Sequence, residues 1–324
     1  MPDIVAQNIV KVGLSLSYVP VYFLLLRHLD LANFAGLIIL LTYISALSVL
    51  DFGSSSSPFF GDRVFFDLSY YPVIFASIAV CAVLLPAYVD LLQPFPPAMV
   101  IIAAFLFYVS NRARIVIDLY SNDSYRLAVM RSLLPLVRWL GLYLATMLDS
   151  PVEHLLVIMV LLESLYILII WNYYIQHAEW SEDLKCVKWY DHRLLAQWLG
   201  SLLYACADLV VRIFLVFDLS KAFIVYDILS RALFVVNILA TYFVRKLREV
   251  SLSFVNVGVA RAVYCFFLVI FMLSSFPFHL DYLFLVLVIS ILNIIYLGTH
   301  RYVELLVIKI TGLVVLGFDN IFTI

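Results

Sequence analysis

Seven ionisable side chains lie inside long apolar stretches of this chain, where a charge is costly and therefore points to function. They are Arg138, Glu163, Asp208, Arg212, Asp227, Arg231 and Lys309. The planar guanidinium of arginine offers paired donors to an anionic oxygen group and keeps its proton. A carboxylate in the same surroundings can hold the arginine or exchange a cation. These residue types predict helices that line a hydrated cavity for an anionic substrate.

Two of these charge pairs have the spacing of helical neighbours. Asp208 and Arg212 are four residues apart, as are Asp227 and Arg231, so each pair shares one helix face. One interpretation is structural, because a self-neutralising pair lowers the cost of placing both charges in an apolar bundle. In the functional interpretation Arg212 and Arg231 bind substrate, and Asp208 and Asp227 take part in ion coupling.

The other three charges have no such neighbour. Glu163 has no basic residue at helical spacing, which predicts a proton or sodium site, or a partner arginine on another helix. Arg138 lies seven residues after Arg131 and either adds a third substrate-binding arginine or extends to the cytoplasmic interface. We favour the interface. Lys309 and Glu304 are five apart and pair poorly, so an interhelical partner is expected for Lys309.

The elements that carry these charges are too apolar for a water-soluble core. Hydrophobic residues make up 65% of the 324 and charged residues 13%, which predicts an all-α integral membrane protein. A spanning helix needs roughly 20 apolar residues. About eleven stretches qualify, near 8–26, 32–50, 70–90, 97–118, 130–147, 152–175, 194–217, 221–243, 258–275, 281–298 and 302–318.

Basic residues predict the orientation of these spans. About 14 Lys and Arg residues fall in segments on one side, whereas the loops of the other side hold Arg27 and Lys221. The positive-inside rule then places the N-terminus in the cytoplasm. We expect the first span to be a retained helix, because it lacks a small-x-small cleavage site before Arg27.

The longest polar stretch divides the predicted spans into six and five. The expected domains are an N-terminal bundle over 1–176, a cytoplasmic linker over 177–193 and a C-terminal bundle over 194–324. The four cysteines lack metal-ligand or CxxC spacing, so neither a metal nor a disulfide is expected. The net charge of −2 and the absence of a basic tract do not favour nucleic-acid binding.

Two segments carry a resemblance to a known family. The first covers the end of span one and the whole of span two, and its matching residues are Arg27, Leu31, Phe34, Gly36, Leu50, Asp51, Phe52 and Gly53. In the second, Asp208 and Arg212 precede an apolar run and Tyr226 follows early in the next helix. The family has the acid and the arginine adjacent, whereas three residues separate them here. In these positions the chain resembles the Wzx-type polysaccharide and O-antigen flippases.

That resemblance implies the multidrug/oligosaccharidyl-lipid/polysaccharide exporter superfamily, whose members place two six-helix bundles around a central cavity and work by alternating access. Here the second half holds five predicted spans. The implied function is to flip an undecaprenyl-pyrophosphate-linked oligosaccharide across the bacterial inner membrane for O-antigen (lipopolysaccharide), capsule or exopolysaccharide biosynthesis. No bound cofactor is expected, and the coupling ion considered for Glu163 is a proton or sodium. The implied partners are the lipid-linked oligosaccharide, membrane lipids, a polysaccharide polymerase and a chain-length regulator.

Two other functions stay open. A membrane enzyme of the same pathway, a polymerase or a transferase, would need a large basic outward loop or a clustered acid–His site. The outward loops here are short, and the nearest acid–His neighbours, Glu153 with His154 and Asp191 with His192, stand alone. We therefore expect no enzyme. A related exporter of drugs or peptidoglycan precursor would suit the 16% aromatic content, which also serves helix packing.

Overall fold

A computed structural model describes most of the chain. The described residues are 13, 16–50, 70–87, 89, 92–120, 125–147, 152–177, 192–217, 222–233, 257–273, 278–298 and 302–321. Within these ranges the regular structure is helical and no residue lies in a β-strand. This confirms the all-α part of the sequence prediction.

Eleven α-helices lie within the described ranges. The first six are α1 Val19–His28, α2 Leu31–Ser48, α3 Tyr70–Leu84, α4 Pro97–Tyr120, α5 Tyr125–Met147 and α6 Val152–His177. The other five are α7 His192–Phe217, α8 222–233, α9 Val257–Leu273, α10 Phe278–Gly298 and α11 Tyr302–Ile321. A short 3-10 turn, Leu85–Ala87, follows α3.

The helices form two compact units. The first comprises Met1–Leu194 with Asp208–Ile213, and the second comprises Leu195–Ala207 with Phe214–Ile324. Helix α7 thus contributes its middle to the first unit and its flanking segments to the second. Most of the predicted linker, residues 178–191, lies outside the described residues, so the linker stays a prediction.

In the first unit, α4 is the central helix and packs against α2, α3 and α6. Helix α2 is buried on several faces because it is apolar all round. It begins where the Asp30 carboxylate accepts a hydrogen bond of 2.7 Å from the Asn33 backbone N–H. Helix α1 packs against α5 through Tyr22, whose ring meets the Trp139 ring edge-on at 5.4 Å.

In the second unit, α9, α10 and α11 pack against one another. The Tyr264 hydroxyl of α9 donates to the Ile308 carbonyl of α11 at 2.5 Å and lies 3.0 Å from the Thr311 hydroxyl. At the exposed end of the same two helices, Arg261 pairs with Glu304 at 2.5 Å. These bonds fix the register of α9 on α11.

Within the described part of the chain, two helical stretches are long and apolar enough to cross a membrane, Leu31–Ser48 and Leu195–Phe217. Seven other apolar helical stretches are shorter, at 10–17 residues. They are Val19–His28, Tyr71–Ala87, Pro97–Asn111, Leu136–Met147, Leu155–Ile169, Arg261–Ile270 and Leu280–Ile289. The arrangement of about eleven spans therefore stays a prediction.

Candidate functional site

An ion pair joins α5 to α6 inside the first unit. The Arg138 Nε donates to the Glu163 carboxylate. Gly141, nearly one turn after Arg138, explains the close approach of the two helices. A Cβ at this glycine would lie 2.5 Å from Leu162 Cδ1, so no larger residue fits without a shift of the leucine.

The carboxylate of this pair is buried, and an aromatic ring lies against the guanidinium. Glu163 is fully buried, and the guanidinium of Arg138 lies 4.0 Å from the centre of the Phe107 ring of α4. Arg138 Nη2 and Glu163 Oε2 are buried and have no hydrogen-bond partner among the described residues. Each charged group therefore retains hydrogen-bonding capacity that the pair itself does not use.

The middle of α7 holds the second pair. Arg212 Nε lies 3.0 Å from Asp208 Oδ2, as the spacing of four residues predicts. The arginine is the more buried partner: 7% of its side chain is exposed, against 29% for the aspartate. A buried guanidinium is costly unless paired, so Asp208 stabilises Arg212 in this place.

Helix α8 holds the third pair, in the second unit. Arg231 Nε lies 2.8 Å and its Nη2 3.4 Å from the two oxygens of Asp227, a two-point contact. Here the aspartate is fully buried and the arginine is partly exposed. The burial is thus the reverse of that in the pair on α7.

Lys309 on α11 has neighbours of a different kind. It is buried, and within the described ranges no carboxylate pairs with it. Its Nζ lies 5.8 Å from the centre of the Tyr204 ring of α7. Its side chain also lies against Gly200, where a Cβ would be 2.8 Å from Lys309 Cδ. Glu304 pairs with Arg261 instead.

Four of the helices that carry these charges, α6, α7, α8 and α11, have a reversed polarity: the charges are on buried faces and large apolar side chains are on exposed ones. On α6, Glu163 is buried whereas Leu161, Leu165 and Leu168 are 61%, 55% and 65% exposed. The corresponding exposed side chains of α7, α8 and α11 are Val210, Phe214, Phe217, Val225, Leu229, Val303, Val307, Ile310 and Val314. In water this arrangement is unfavourable on both faces.

The predicted site residues thus occur as three pairs. The pairing of Asp208 with Arg212 and of Asp227 with Arg231 is confirmed. The Arg138 guanidinium bonds to Glu163, the interhelical alternative for that carboxylate, and the extension of Arg138 to the interface stays a prediction. The interhelical neighbour of Lys309 is an aromatic ring.

Some predicted positions lie outside the described part of the chain. These are Asp51, Phe52, Gly53 and the side chain of Arg131. Sequence reasoning also missed residues that shape the sites, namely Phe107, Gly141 and Tyr204. Gly141 lies inside an apolar helix, where a glycine costs helix stability and signals a close contact. No protein-family model, curated protein or solved structure matches the chain.

Proposed function

We propose that the protein is a Wzx-type flippase that moves a lipid-linked oligosaccharide across the bacterial inner membrane by alternating access. The observation that carries the proposal is the reversed polarity of α6, α7, α8 and α11. Lipid is the solvent that favours exposed leucine, phenylalanine and valine beside buried charges. The eleven-span, two-bundle arrangement around a central cavity belongs to this proposal.

The buried charges support an anionic cargo. Each of the three arginines pairs with one carboxylate, so each pair has no net charge. A pyrophosphate brings oxygens that match the guanidinium fork and can take the place of the carboxylate. Arg212, Arg231 and Arg138 are therefore proposed to bind the substrate in turn as it crosses.

The carboxylates support coupling to a cation. When an arginine turns to a phosphate, its former partner is left as a buried carboxylate, which is costly unless it takes a proton or a sodium ion. Glu163 and Asp227 are fully buried and meet this condition, and Asp208, whose side chain is 29% exposed, is the third proposed carboxylate. Movement of the proton or sodium ion through these positions, down its gradient, would give cargo transport a direction. Passive exchange of the cargo has none. A polysaccharide polymerase and a chain-length regulator would act on the exported unit.

Complementation tests the function. A bacterial strain that lacks its O-antigen flippase makes the lipid-linked repeat unit inside the cell and displays no O-antigen. Expression of this chain is expected to restore surface polysaccharide and to deplete the internal lipid-linked pool. Because flippases differ in the glycans they accept, the assay uses strains with neutral and acidic repeat units in parallel.

Two results contradict the proposal. Membrane-inserted protein that leaves the internal pool unchanged in every strain would exclude flipping of these glycans. Loss of the pool with polymer retained inside the cell would instead indicate a polymerase or a transferase.

A further inference from the structure

Lys309 is buried in the second unit between α11 and α7. Only 6% of Lys309 is exposed. Among the described residues it has no carboxylate partner, unlike Arg138, Arg212 and Arg231. Gly200 makes room for it, because a Cβ there would lie 3.0 Å from Lys309 Nζ. Among the residues that the structure describes, this buried ammonium thus lies against α7 with no anion paired to it, a costly arrangement unless a ligand brings one.

Two further polar side chains of α7 belong to the helix face that Lys309 contacts at Gly200. Gln197 is nearly one turn before Gly200, and Tyr204 is one turn after it, so the three share one face of α7. Gln197 Oε1 and Tyr204 Oη are buried and have no hydrogen-bond partner in the described part of the chain. Buried polar atoms of this kind are rare in native proteins, and a ligand is one explanation for them.

The Tyr204 ring is held in place as a flat surface. It stacks on the Tyr282 ring of α10 with centroids 6.2 Å apart, and the Tyr282 hydroxyl donates to the Tyr204 carbonyl at 3.1 Å. Lys309 Nζ is farther from this ring than Arg138 is from Phe107, 5.8 Å against 4.0 Å. The ammonium therefore lies over the ring but is not in close contact with its face.

We infer that Lys309, Gln197 and Tyr204 form a subsite for a carboxylated sugar, a ring of the uronic acid class. The carboxylate pairs with Lys309 Nζ, a sugar hydroxyl donates to Gln197 Oε1, and the Tyr204 ring packs against the apolar face of the sugar. Since the site offers one cation, it matches a monovalent carboxylate better than a phosphate dianion. The inference rests on the proposed function, for which it names the class of glycan carried.

Binding of simple sugars tests the subsite without transport. The probes are sodium glucuronate and glucose with the purified full chain in detergent micelles, observed by saturation-transfer NMR, which detects the weak binding expected of so small a ligand. Glucuronate is expected to bind, glucose to give at most a tenth of its signal, and inorganic phosphate not to displace glucuronate. Lys309→Met is expected to weaken glucuronate binding by about tenfold or more, because a hydrogen bond to a charged group is lost.

A second variant covers the case in which Lys309→Met fails to fold. Gly200→Ala keeps every polar group but occupies the space of the Lys309 side chain, so it is expected to weaken glucuronate binding as well. Arg261→Gln, which alters an exposed pair that also involves α11, is the matched control and leaves binding unchanged.

Three outcomes overturn the subsite: equal binding of glucose and glucuronate, displacement of glucuronate by phosphate, or wild-type binding in both Lys309→Met and Gly200→Ala. None of them bears on complementation of a strain with a neutral repeat unit. Failure of the subsite and failure of the flippase proposal are therefore distinguishable.

Discussion

The carboxylate of Glu163 on α6 accepts a hydrogen bond from Arg138 on α5, across 25 residues of sequence. The pair has one point of contact, whereas Arg231 uses two nitrogens on Asp227. The Phe107 ring lies against the guanidinium, with its centre 4.0 Å away. This pair thus has the least local support of the three, because its partners are on separate helices.

Removal of one partner from this pair is expected to destabilise the first unit. Glu163→Leu leaves the Arg138 guanidinium without its carboxylate, and breaking a buried pair from one side costs about 3 kcal/mol. The melting temperature of the purified protein in micelles is the measurement, and we expect a clear decrease relative to the unchanged chain.

The double variant Arg138→Met, Glu163→Leu is the control for that prediction. With both charges replaced by apolar groups of similar length, most of the lost stability is expected to return, since no unpaired charge remains. A double variant whose loss equals the sum of the two single losses would show that Arg138 and Glu163 do not interact.

The variant Glu163→Gln tests whether Glu163 carries the ion that couples export to a proton or sodium gradient. The amide keeps the size of the side chain and a hydrogen-bond acceptor for Arg138, but it cannot gain or lose a proton at physiological pH. If Glu163 carries the coupling ion, export in the complementation assay loses its dependence on the proton or sodium gradient. An unchanged gradient dependence in Glu163→Gln would remove Glu163 from the coupling mechanism.

Arg212→Ala is expected to abolish glycan export while the protein level stays near that of the unchanged chain. Only 7% of the Arg212 side chain is exposed, and its role is proposed to be contact with the substrate anion. We expect a decrease in surface polysaccharide of about tenfold or more, the effect of losing one charge-assisted contact. Quantitative glycan staining beside an immunoblot is the measurement.

Arg261→Ala is the matched control for Arg212→Ala. It removes the same residue type from another pair, but 54% of the Arg261 side chain is exposed, and an exposed pair contributes little. Surface polysaccharide within about twofold of the unchanged chain is expected, in line with that small contribution. Full surface polysaccharide in Arg212→Ala would refute the substrate-binding role.

Local spacing allowed two pairs to be predicted, because residues four apart meet on any helix whatever its surroundings. Arg138 and Glu163 required knowledge of how α5 and α6 turn toward each other. The sequence of an apolar helix does not indicate which face is turned toward a neighbouring helix, because nearly every face is hydrophobic. One clue was present: both residues lie about midway along consecutive helices, at similar distances from the loop between them. Charges at equal depth on neighbouring spans are candidates for a pair.

The packing of α9, α10 and α11 was also not predicted from the sequence. Gly312 of α11 lies where these helices pack closely. A Cβ on Gly312 would lie 2.7 Å from Leu285 Cδ1 and 3.0 Å from the Tyr264 hydroxyl, which is already bonded to the Ile308 carbonyl. Gly312→Ala is therefore expected to destabilise the second unit by about 1 to 3 kcal/mol. Thermal unfolding of the purified chain measures the loss.

Gly36→Ala is the companion variant. No atom of the described residues lies within 4 Å of a Cβ placed on this helical glycine, so alanine adds helix propensity at no steric cost. The melting temperature is expected to stay the same or to increase. If Gly312→Ala and Gly36→Ala changed stability alike, close packing at Gly312 would not explain the result.

The solvent around α6 can be tested at Leu168, whose side chain is 65% exposed. In water, Leu168→Lys would change stability by no more than about 0.5 kcal/mol, as exposed substitutions do. In lipid it places an ammonium on an apolar face, which costs about 3 kcal/mol in the middle of a span and less near its end. We therefore expect Leu168→Lys to accumulate poorly in the membrane fraction after alkaline extraction. His28→Lys, an exposed change beside Arg27 at the polar end of α1, should accumulate normally. Equal accumulation of the two variants would contradict a lipid-facing α6, because only a hydrocarbon surrounding makes one exposed lysine costly and the other neutral.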